Sequence, residues 1–388
     1  MNGRVDESRK AIEEGGMRGA DTIERLRTFR RDLHRIPETG FDLPQTLAYI
    51  TEVLEGLAGP VEVFSPCTST ICAFFDRGTE HTTAIRTDMD ALPVTEQTGA
   101  PYASTHPGCM HACGHDGHMA MVLALAEHID AHLDELPRNV LLVFQPAEES
   151  VGGALPLCET GVFERYGVDR IFGFHLWPDL PKGTVATREG ALLASANEVD
   201  VVFTGRSSHI AKAEQGRDAV EAACRFLSRI YAFMDGLGGD EPSLLKFGRI
   251  EGGLVRNQIA AEARLEGSLR VFSDEMSQRA EQGISAVAEQ VAAELGCTVQ
   301  VTFKNGYPPV VNDAALAKLA REAVPEMGGL DEPLLIGEDF AWYQRFVPGV
   351  FMLLGTGTGI PLHADTFDFD ESLLRCGLDV YERLVRMP

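Results

Sequence analysis

The sequence predicts an α/β fold interrupted by an inserted α+β unit, and three observations carry that reading. Up to Pro181 short β-rich runs alternate with helical stretches; beyond it come runs in which charged and branched apolar residues alternate; after Tyr307-Pro308-Pro309 the first style returns. Strands alternating with helices build a sheet covered by helices on both faces, whereas strands with one polar side belong to a half-exposed antiparallel sheet. The 388 residues also exceed what one hydrophobic core usually organises. We therefore expect residues 1–193 and 306–388 to form one domain and residues 194–305 to be inserted into it.

Each element has its own signal. In DTIERLRTFRRDLHRI, residues 21–36, Ile23, Leu26, Phe29, Leu33 and Ile36 recur at three- and four-residue spacing, the mark of an amphipathic helix that Pro37 ends. Strands are expected at 70–75 (TICAFF), 82–87 (TTAIRT), 140–144 (VLLVF) and near IFGFHL, with a helix through MAMVLALAEHI. In the inserted unit, EVDVVFT at 198–204 and ARLEGSLRVF at 263–272 alternate as half-exposed strands do, and helices run through DAVEAACRFLSRIYAFM and SQRAEQGISAVAEQVAAEL. The strand GVFMLLG and a last helix close the chain.

Composition excludes some functions. Thirty-four Lys and Arg against 58 Asp and Glu give a net charge of −24, which repels phosphate backbones and anionic lipid, so neither nucleic acid nor membrane is an expected partner. The opening MNGRVDESRKAIEEGG lacks the apolar stretch of a signal peptide, and no run reaches the roughly 18 apolar residues of a membrane span. Eight scattered cysteines without a short-period framework read as reduced thiols, and a cytoplasmic protein is expected.

Chemistry concentrates in His111–His118, HACGHDGH, which holds three of the chain's eleven histidines. Cys113-Gly114-His115 suits a loop in which two donors face the same way. Glu148-Glu149 follows the strand VLLVF through a proline turn, which places both carboxylates at a strand's carboxyl end, where open α/β sheets keep their sites. Adjacent carboxylates there fit a division of labour in which one binds metal and the other takes a proton from water. His175 and His363 each follow an apolar strand. Taken alone, each motif also fits a blander role: a loop, an exposed acidic turn, or structural histidines.

Together, IRTDMDALPV, HACGHDGHMAM, FQPAEE with its following GGA, FGFHLWP, IGEDFAWY and PLHADTFDFDE resemble the ordered motifs of the amidohydrolase branch of the dinuclear metallopeptidase and aminoacylase superfamily, from about Arg30 to about Glu371. That branch contains hippurate hydrolase and the plant indole-acetyl-amino-acid hydrolases. The resemblance implies a metallopeptidase-type catalytic domain and a ferredoxin-like inserted domain acting as lid and dimerisation element. It implies Cys113, His115, Glu149, His175 and His363 as ligands of two divalent ions (zinc, manganese, cobalt or nickel), Glu148 as general base, and Asp88 behind the metals, orienting a ligand. His111, Asp116 and His118 are expected to shape the loop and hydrogen-bond around it, and His34 to be structural.

From the inserted domain the resemblance implies His209, in TGRSSHIA, as donor to the substrate carbonyl oxygen, in such families often across a dimer. Asn257 and Arg270 are the implied substrate contacts. Two departures stand out: Ser207 to Glu214 replaces a stretch that usually carries a proline and a second histidine, and Thr366 stands where a proline is common. The expected reaction is hydrolysis of an N-acyl amino acid by metal-activated water, in a homodimer or higher homo-oligomer. A dipeptidase or carboxypeptidase of the same superfamily, a Cys113 nucleophile paired with His115, and a non-catalytic metal-binding protein are the competing readings.

Overall fold

The structure, a computed structural model, describes residues 21–388 except 238 and 240. In chain order the elements are α1 (residues 21–34), α2 (Pro44–Glu55), β1 (Glu62–Phe64), β2 (Ile71–Phe75), β3 (Thr82–Asp88), α3 (His115–His132), β4 (Asn139–Gln145), α4 (Ala154–Cys158), α5 (Val162–Arg165), β5 (Val168–Trp177), β6 (Val185–Thr187) and β7 (Gly190–Leu193). They continue with β8 (Ala196–Thr204), α6 (Ala219–Leu237), β9 (Leu244–Gly252), β10 (Glu262–Arg270), α7 (Asp274–Leu295), β11 (Thr298–Tyr307) and β12 (Val310–Asn312). Last come α8 (Ala314–Ala323), β13 (Gly328–Gly329), β14 (Gly349–Gly355) and α9 (Leu374–Leu384).

Two compact units result. The first holds the described residues up to Gly190, with Asn312–Asp331 and Trp342–Pro388; the second holds Ala191–Val311 with Glu332–Ala341.

The first unit is built on an eight-stranded sheet of order β1-β2-β4-β3-β5-β14-β6-β13. Its middle strands β4, β3, β5 and β14 are mutually parallel, and β3, β4 and β14 are buried along their whole length. That explains why VLLVF and GVFMLLG are unbroken apolar runs rather than alternating ones. The chain leaves β3, returns as β4 on one side, and then crosses to β5 on the other. Such a reversal opens a crevice beyond the strands' carboxyl ends. Helix α3 is buried from His115 to Ala126 on every side, as its apolar composition all round demands. Its N-cap, Gly114, has φ +86°, and a Cβ there would lie 2.8 Å from Leu176 Cδ1, so glycine is required on both counts.

The second unit runs β8-α6-β9-β10-α7-β11, with sheet order β11-β8-β10-β9 and every neighbour antiparallel. That is the ferredoxin-like arrangement. Val199, Val201 and Phe203 of β8 turn inward, as their alternation predicts, and pack with Ala222, Phe226 and Ile230 of α6 and Ala280, Ile284 and Ala288 of α7. The sequence reading passed over β9, β11 and α8. Val299, Val301 and Phe303 of β11 do alternate, whereas the outer half of β9 is exposed on both sides and gives little period to find. Among the described residues no helix is long and apolar enough to cross a membrane.

Candidate metal centre

The carboxyl ends of β3, β4 and β5 and the loop entering α3 deliver the predicted residues of the first unit. Asp88 ends β3, Pro146-Ala147 carries the chain from β4 to Glu148 and Glu149, and His175 lies near the end of β5. His363 comes from the loop after β14, where its backbone N–H donates to Ala112 O at 2.9 Å and so ties it to the loop holding Cys113. Ala147 and His363 are two of the three non-glycine residues with positive φ among the described residues, at +61° and +68°. Left-handed backbone at such residues persists where the surroundings over-determine it, and it clusters at functional sites.

The donor atoms converge in overlapping groups. Those of Cys113, His115 and His175 lie within 4.8 Å of one another, as do those of Cys113, Glu149 and His363, and those of His115, Glu148 and Glu149. Cys113 Sγ is 3.3 Å from His175 Nε2, and His363 Nε2 is 3.1 Å from Glu149 Oε1. Cys113 thus belongs to two groups of three donors.

Hydrogen bonds set the tautomers. His115 Nδ1 lies 2.7 Å from Asp90 O and His175 Nδ1 lies 2.7 Å from Leu176 O. A carbonyl only accepts, so both histidines carry hydrogen on Nδ1 and turn an Nε2 lone pair inward. His118 differs: Nδ1 donates to Asp88 Oδ1 at 2.7 Å and Nε2 accepts from Leu176 N at 2.9 Å. With both nitrogens engaged it has no lone pair to offer. Asp88 is engaged likewise, since its other oxygen accepts from Arg86 at 2.8 Å.

The electrostatics favour a cation. Burial holds His115 neutral and, with His118 nearby, pushes His175 down to about 3. Glu149 is held down to about 2, because His363 and His115 outweigh its burial. Burial, reinforced by Glu149 and Glu148, drives the Cys113 thiol well above its ordinary range. A thiolate nucleophile is therefore disfavoured there, and only a positive charge at the sulfur would make ionisation easy. His115 Nε2 and Glu149 Oε1 are buried without a hydrogen-bond partner, the latter despite its proximity to His363. Two orphaned atoms within a set of sulfur, imidazole and carboxylate donors are what a transition-metal ion would satisfy.

Four residues around the centre, Asp90, Arg86, Gln145 and Tyr343, have roles that the sequence did not single out. The Asp90 carboxylate accepts from Glu148 N at 2.9 Å and Glu149 N at 3.1 Å. Arg86, wholly buried, also donates to Gln145 Oε1 at 2.9 Å, which in turn accepts from Tyr343 OH at 2.8 Å. The signal was present as R-T-D-M-D, charged residues at alternate positions at and just past the end of β3.

Directly after His115 on α3, Asp116 forms a buried ionic group with Arg30 and His34 of α1. Arg30 lies 2.8 Å from Asp116 and 2.8 Å from Asp368, and His34 Nδ1 lies 2.7 Å from Asp116. His34 is structural, as expected. His111 is not hydrogen-bonded as expected: both ring nitrogens are buried without a partner, and burial pushes the ring down to about 3, so it stays neutral.

In the second unit, His209 precedes a short 3₁₀ turn and its Nδ1 accepts from Ala211 N at 3.1 Å. The hydrogen of a neutral His209 is therefore on Nε2. Asn257 is its neighbour, since Ile210 N donates to Asn257 O at 3.0 Å. Arg270 lies elsewhere: it ends β10, donating to Ser195 O at 3.2 Å. From Glu262 to Arg270 the strand spans about 25 Å. The bonds Gly205 N to Ala261 O and Ile259 N to Ser208 O carry the His209 loop beyond the far end. The structure brings His209 and Asn257 together and separates both from Arg270.

Comparison with known proteins agrees with this geometry. Residues 84–387 match the family described as peptidase family M20/M25/M40. An uncharacterised hydrolase of Staphylococcus epidermidis is 34% identical over 94% of this chain and 98% of its own. The N-acetyldiaminopimelate deacetylase of Lacticaseibacillus paracasei is 35% identical over 93% of this chain and 96% of its own. The crystal structure of the Bacillus subtilis YXEP protein, a dinuclear metal binding peptidase of the M20 family, superposes with a TM-score of 0.83 at 33% identity, over 94% of this chain and 98% of that one. A family match over most of the chain, with relatives at a third identity along nearly all of it, makes this protein a member of peptidase family M20/M25/M40, in its amidohydrolase branch, and a metal-dependent amide hydrolase.

Proposed function

We propose that the protein hydrolyses the amide bond of N-acyl amino acids, N-acetyl amino acids first among them, to a carboxylic acid and a free amino acid. The observation that carries this reading is the carboxylate of Glu148 beside the converging donors of Cys113, His115, Glu149, His175 and His363, among which His115 Nε2 and Glu149 Oε1 are buried without a hydrogen-bond partner. Support for the substrate class comes from a relative named as a deacetylase of an N-acetylated amino acid.

The five donors would hold two divalent ions, with Cys113 common to the two groups, Cys113-His115-His175 and Cys113-Glu149-His363, that together contain all five. When bound, such ions polarise a carbonyl oxygen and lower the pKa of a water. Zinc, manganese, cobalt and nickel all suit this mixture of sulfur, imidazole and carboxylate. Glu148 accepts the proton of the attacking water and returns it to the departing nitrogen. His209, through Nε2–H, donates to the carbonyl oxygen as its charge grows. Asn257 and Arg270 bind the rest of the substrate, Arg270 as a fork for its carboxylate.

The second unit's geometry supports a homodimer in this reading. A small amide cannot reach across some 25 Å, so His209 and Arg270 serve one substrate only if two copies contribute. The edge strand β9 leaves Ile250 exposed, and the following loop exposes Leu254 and Val255. An unpaired edge with apolar side chains is a surface on which a second copy can pair. We read the second unit as lid and dimerisation element together. A cytoplasmic setting suits eight cysteines none of which is in a disulfide.

The test is amine release from a panel of N-acyl amino acids and free-amine dipeptides by protein stripped of metal and reloaded with each ion. We expect metal-dependent turnover of acylated substrates, and Glu148→Gln should keep both ions while kcat falls about 10²–10⁴-fold. Turnover of dipeptides alone, or near-normal turnover by the variant, would overturn the reading.

A further inference from the structure

We infer that Asp90 is a positioning residue that sets the Glu148–Glu149 half of the centre independently of the His115 half. This rests on the reading of Glu148 as base and of Glu149 as ligand.

Asp90 follows β3 by two residues and is 1% exposed. Its two ends do different work. The main-chain carbonyl accepts from His115 Nδ1 at 2.7 Å and so aims the Nε2 lone pair. The carboxylate spans two consecutive amides of another segment, Oδ1 to Glu148 N at 2.9 Å and Oδ2 to Glu149 N at 3.1 Å. Those amides come directly after Ala147, whose φ of +61° is a conformation alanine does not hold unaided. A carboxylate bridging successive amides fixes the turn, and with it the direction in which both glutamates leave the backbone.

The placement is electrostatically poor. Burial, with Glu149 and Asp88 nearby, pushes the Asp90 carboxyl well up, and only the two amides draw it down. A serine or asparagine would cap a turn at less cost, whereas one carboxylate accepts from both amides at once. Because the carbonyl belongs to the backbone, replacing the side chain leaves the bond to His115 in place. The consequence is asymmetric. Loss of the carboxylate disturbs the donors Glu149 and His363 and the base Glu148, and spares the group of Cys113, His115 and His175.

The test is Asp90→Asn, which keeps the size but offers one acceptor and turns an N–H₂ toward the second amide. Affinity for each of two cobalt ions would be measured by chelator competition, with the thiolate-to-cobalt absorption band reporting on Cys113. One ion should bind as in the wild type with the band retained, while the other weakens about 10–100-fold, the usual effect of losing a group that orients a ligand. In Asp90→Asn/Glu149→Gln the second ion should bind no more weakly than in Glu149→Gln alone, since Asp90 acts through Glu149. At saturating metal, kcat should fall with KM little changed.

A merely structural role would weaken both ions together, in step with the melting temperature, and that result would overturn the inference. Two ions bound as in the wild type, with kcat unchanged, would do the same. A second measurement needs no variant: hydrogen exchange of the wild-type protein should show the Glu148 and Glu149 amides as protected as those of β4, and rapid exchange would refute their capture by Asp90. The two readings fail differently. If the substrate reading is wrong, the wild type binds two ions without turning over N-acyl amino acids; if the Asp90 inference is wrong, the variant loses both ions alike or neither.

Discussion

His34 gives the sharpest pH signature of the first unit. Burial and the neighbouring Arg30 work against its charge, but Asp116 at 2.7 Å and Glu96 at 3.3 Å more than compensate, and the ring is pushed up to about 9. Its pKa is therefore raised on folding, so its contribution to stability is complete below about 6.5 and is lost as pH rises through about 9. At about 1.4 kcal/mol for each tenfold change in proton affinity, the gap between 6.5 and about 9 corresponds to about 3 kcal/mol. Free thiols of the unfolded chain ionise near the same range and also erode stability, so the comparison must be differential. His34→Gln keeps hydrogen-bonding capacity but cannot become charged. Urea unfolding of both proteins from about pH 6 to about pH 10 should show the wild type ahead at low pH and the difference closing by about 3 kcal/mol between pH 6.5 and 9. A difference that stays constant across that window would refute a cationic His34, and with it the ionic anchoring of Asp116.

Three further outcomes follow. Cys113→Ser should weaken both ions together, unlike the change at Asp90, because the sulfur belongs to both donor groups; chelator competition would detect it. His118→Phe leaves Asp88 with Arg86 alone and should lower metal affinity about 10–100-fold without abolishing either site, as read by the same titration. His209→Ala should lower kcat about 10²–10³-fold with metal content unchanged; mixed and reassorted with Glu148→Gln, itself inactive, it should regain about a quarter of wild-type activity if each site draws on two copies, and none if it does not.

How much of this was legible in the sequence depends on how local the cause is. HACGHDGH stands out because a loop that supplies adjacent donors must spend consecutive residues on them, and Glu148-Glu149 because a strand end is a local event. The unbroken apolar text of β4 and β14 reported burial on both faces, and the alternation of β8 and β10 reported a single buried face. Asp90 was missed because its partners lie 58 and 59 residues away and its role is expressed in main-chain bonds, which no side-chain pattern records. His111 misled for the opposite reason: its company suggested a network, while the fold encloses it among groups that do not reach it. The separation of Arg270 from His209 is set by strand register, which appears only once β10 is laid against β8.

The charge of the centre argues for a specific part played by Arg86. With Cys113 as thiolate and Glu149 ionised, the donors carry two negative charges and the base Glu148 a third, against four positive from two divalent ions, which leaves one to meet the charge developing on a substrate oxygen. Asp88 would cancel that surplus if it joined them, and its Oδ2 is only 3.8 Å from His115 Nε2. It is kept apart by Arg86, 2.8 Å away, the two side chains being wholly buried. Removing the guanidinium in Arg86→Met leaves the buried Asp88 carboxylate with its hydrogen bond from His118 but without its countercharge, at a cost of about 3–5 kcal/mol to the metal-free protein. In the loaded protein Asp88 can turn to an ion instead, so metal should recover part of that stability and bind more tightly, while kcat falls because the added negative charge weakens the pull on the carbonyl. Thermal unfolding with and without metal, set beside kcat, separates this from simple damage. If stability, metal affinity and kcat all decline together, Arg86 is a packing element, and the surplus charge must be preserved in some other way.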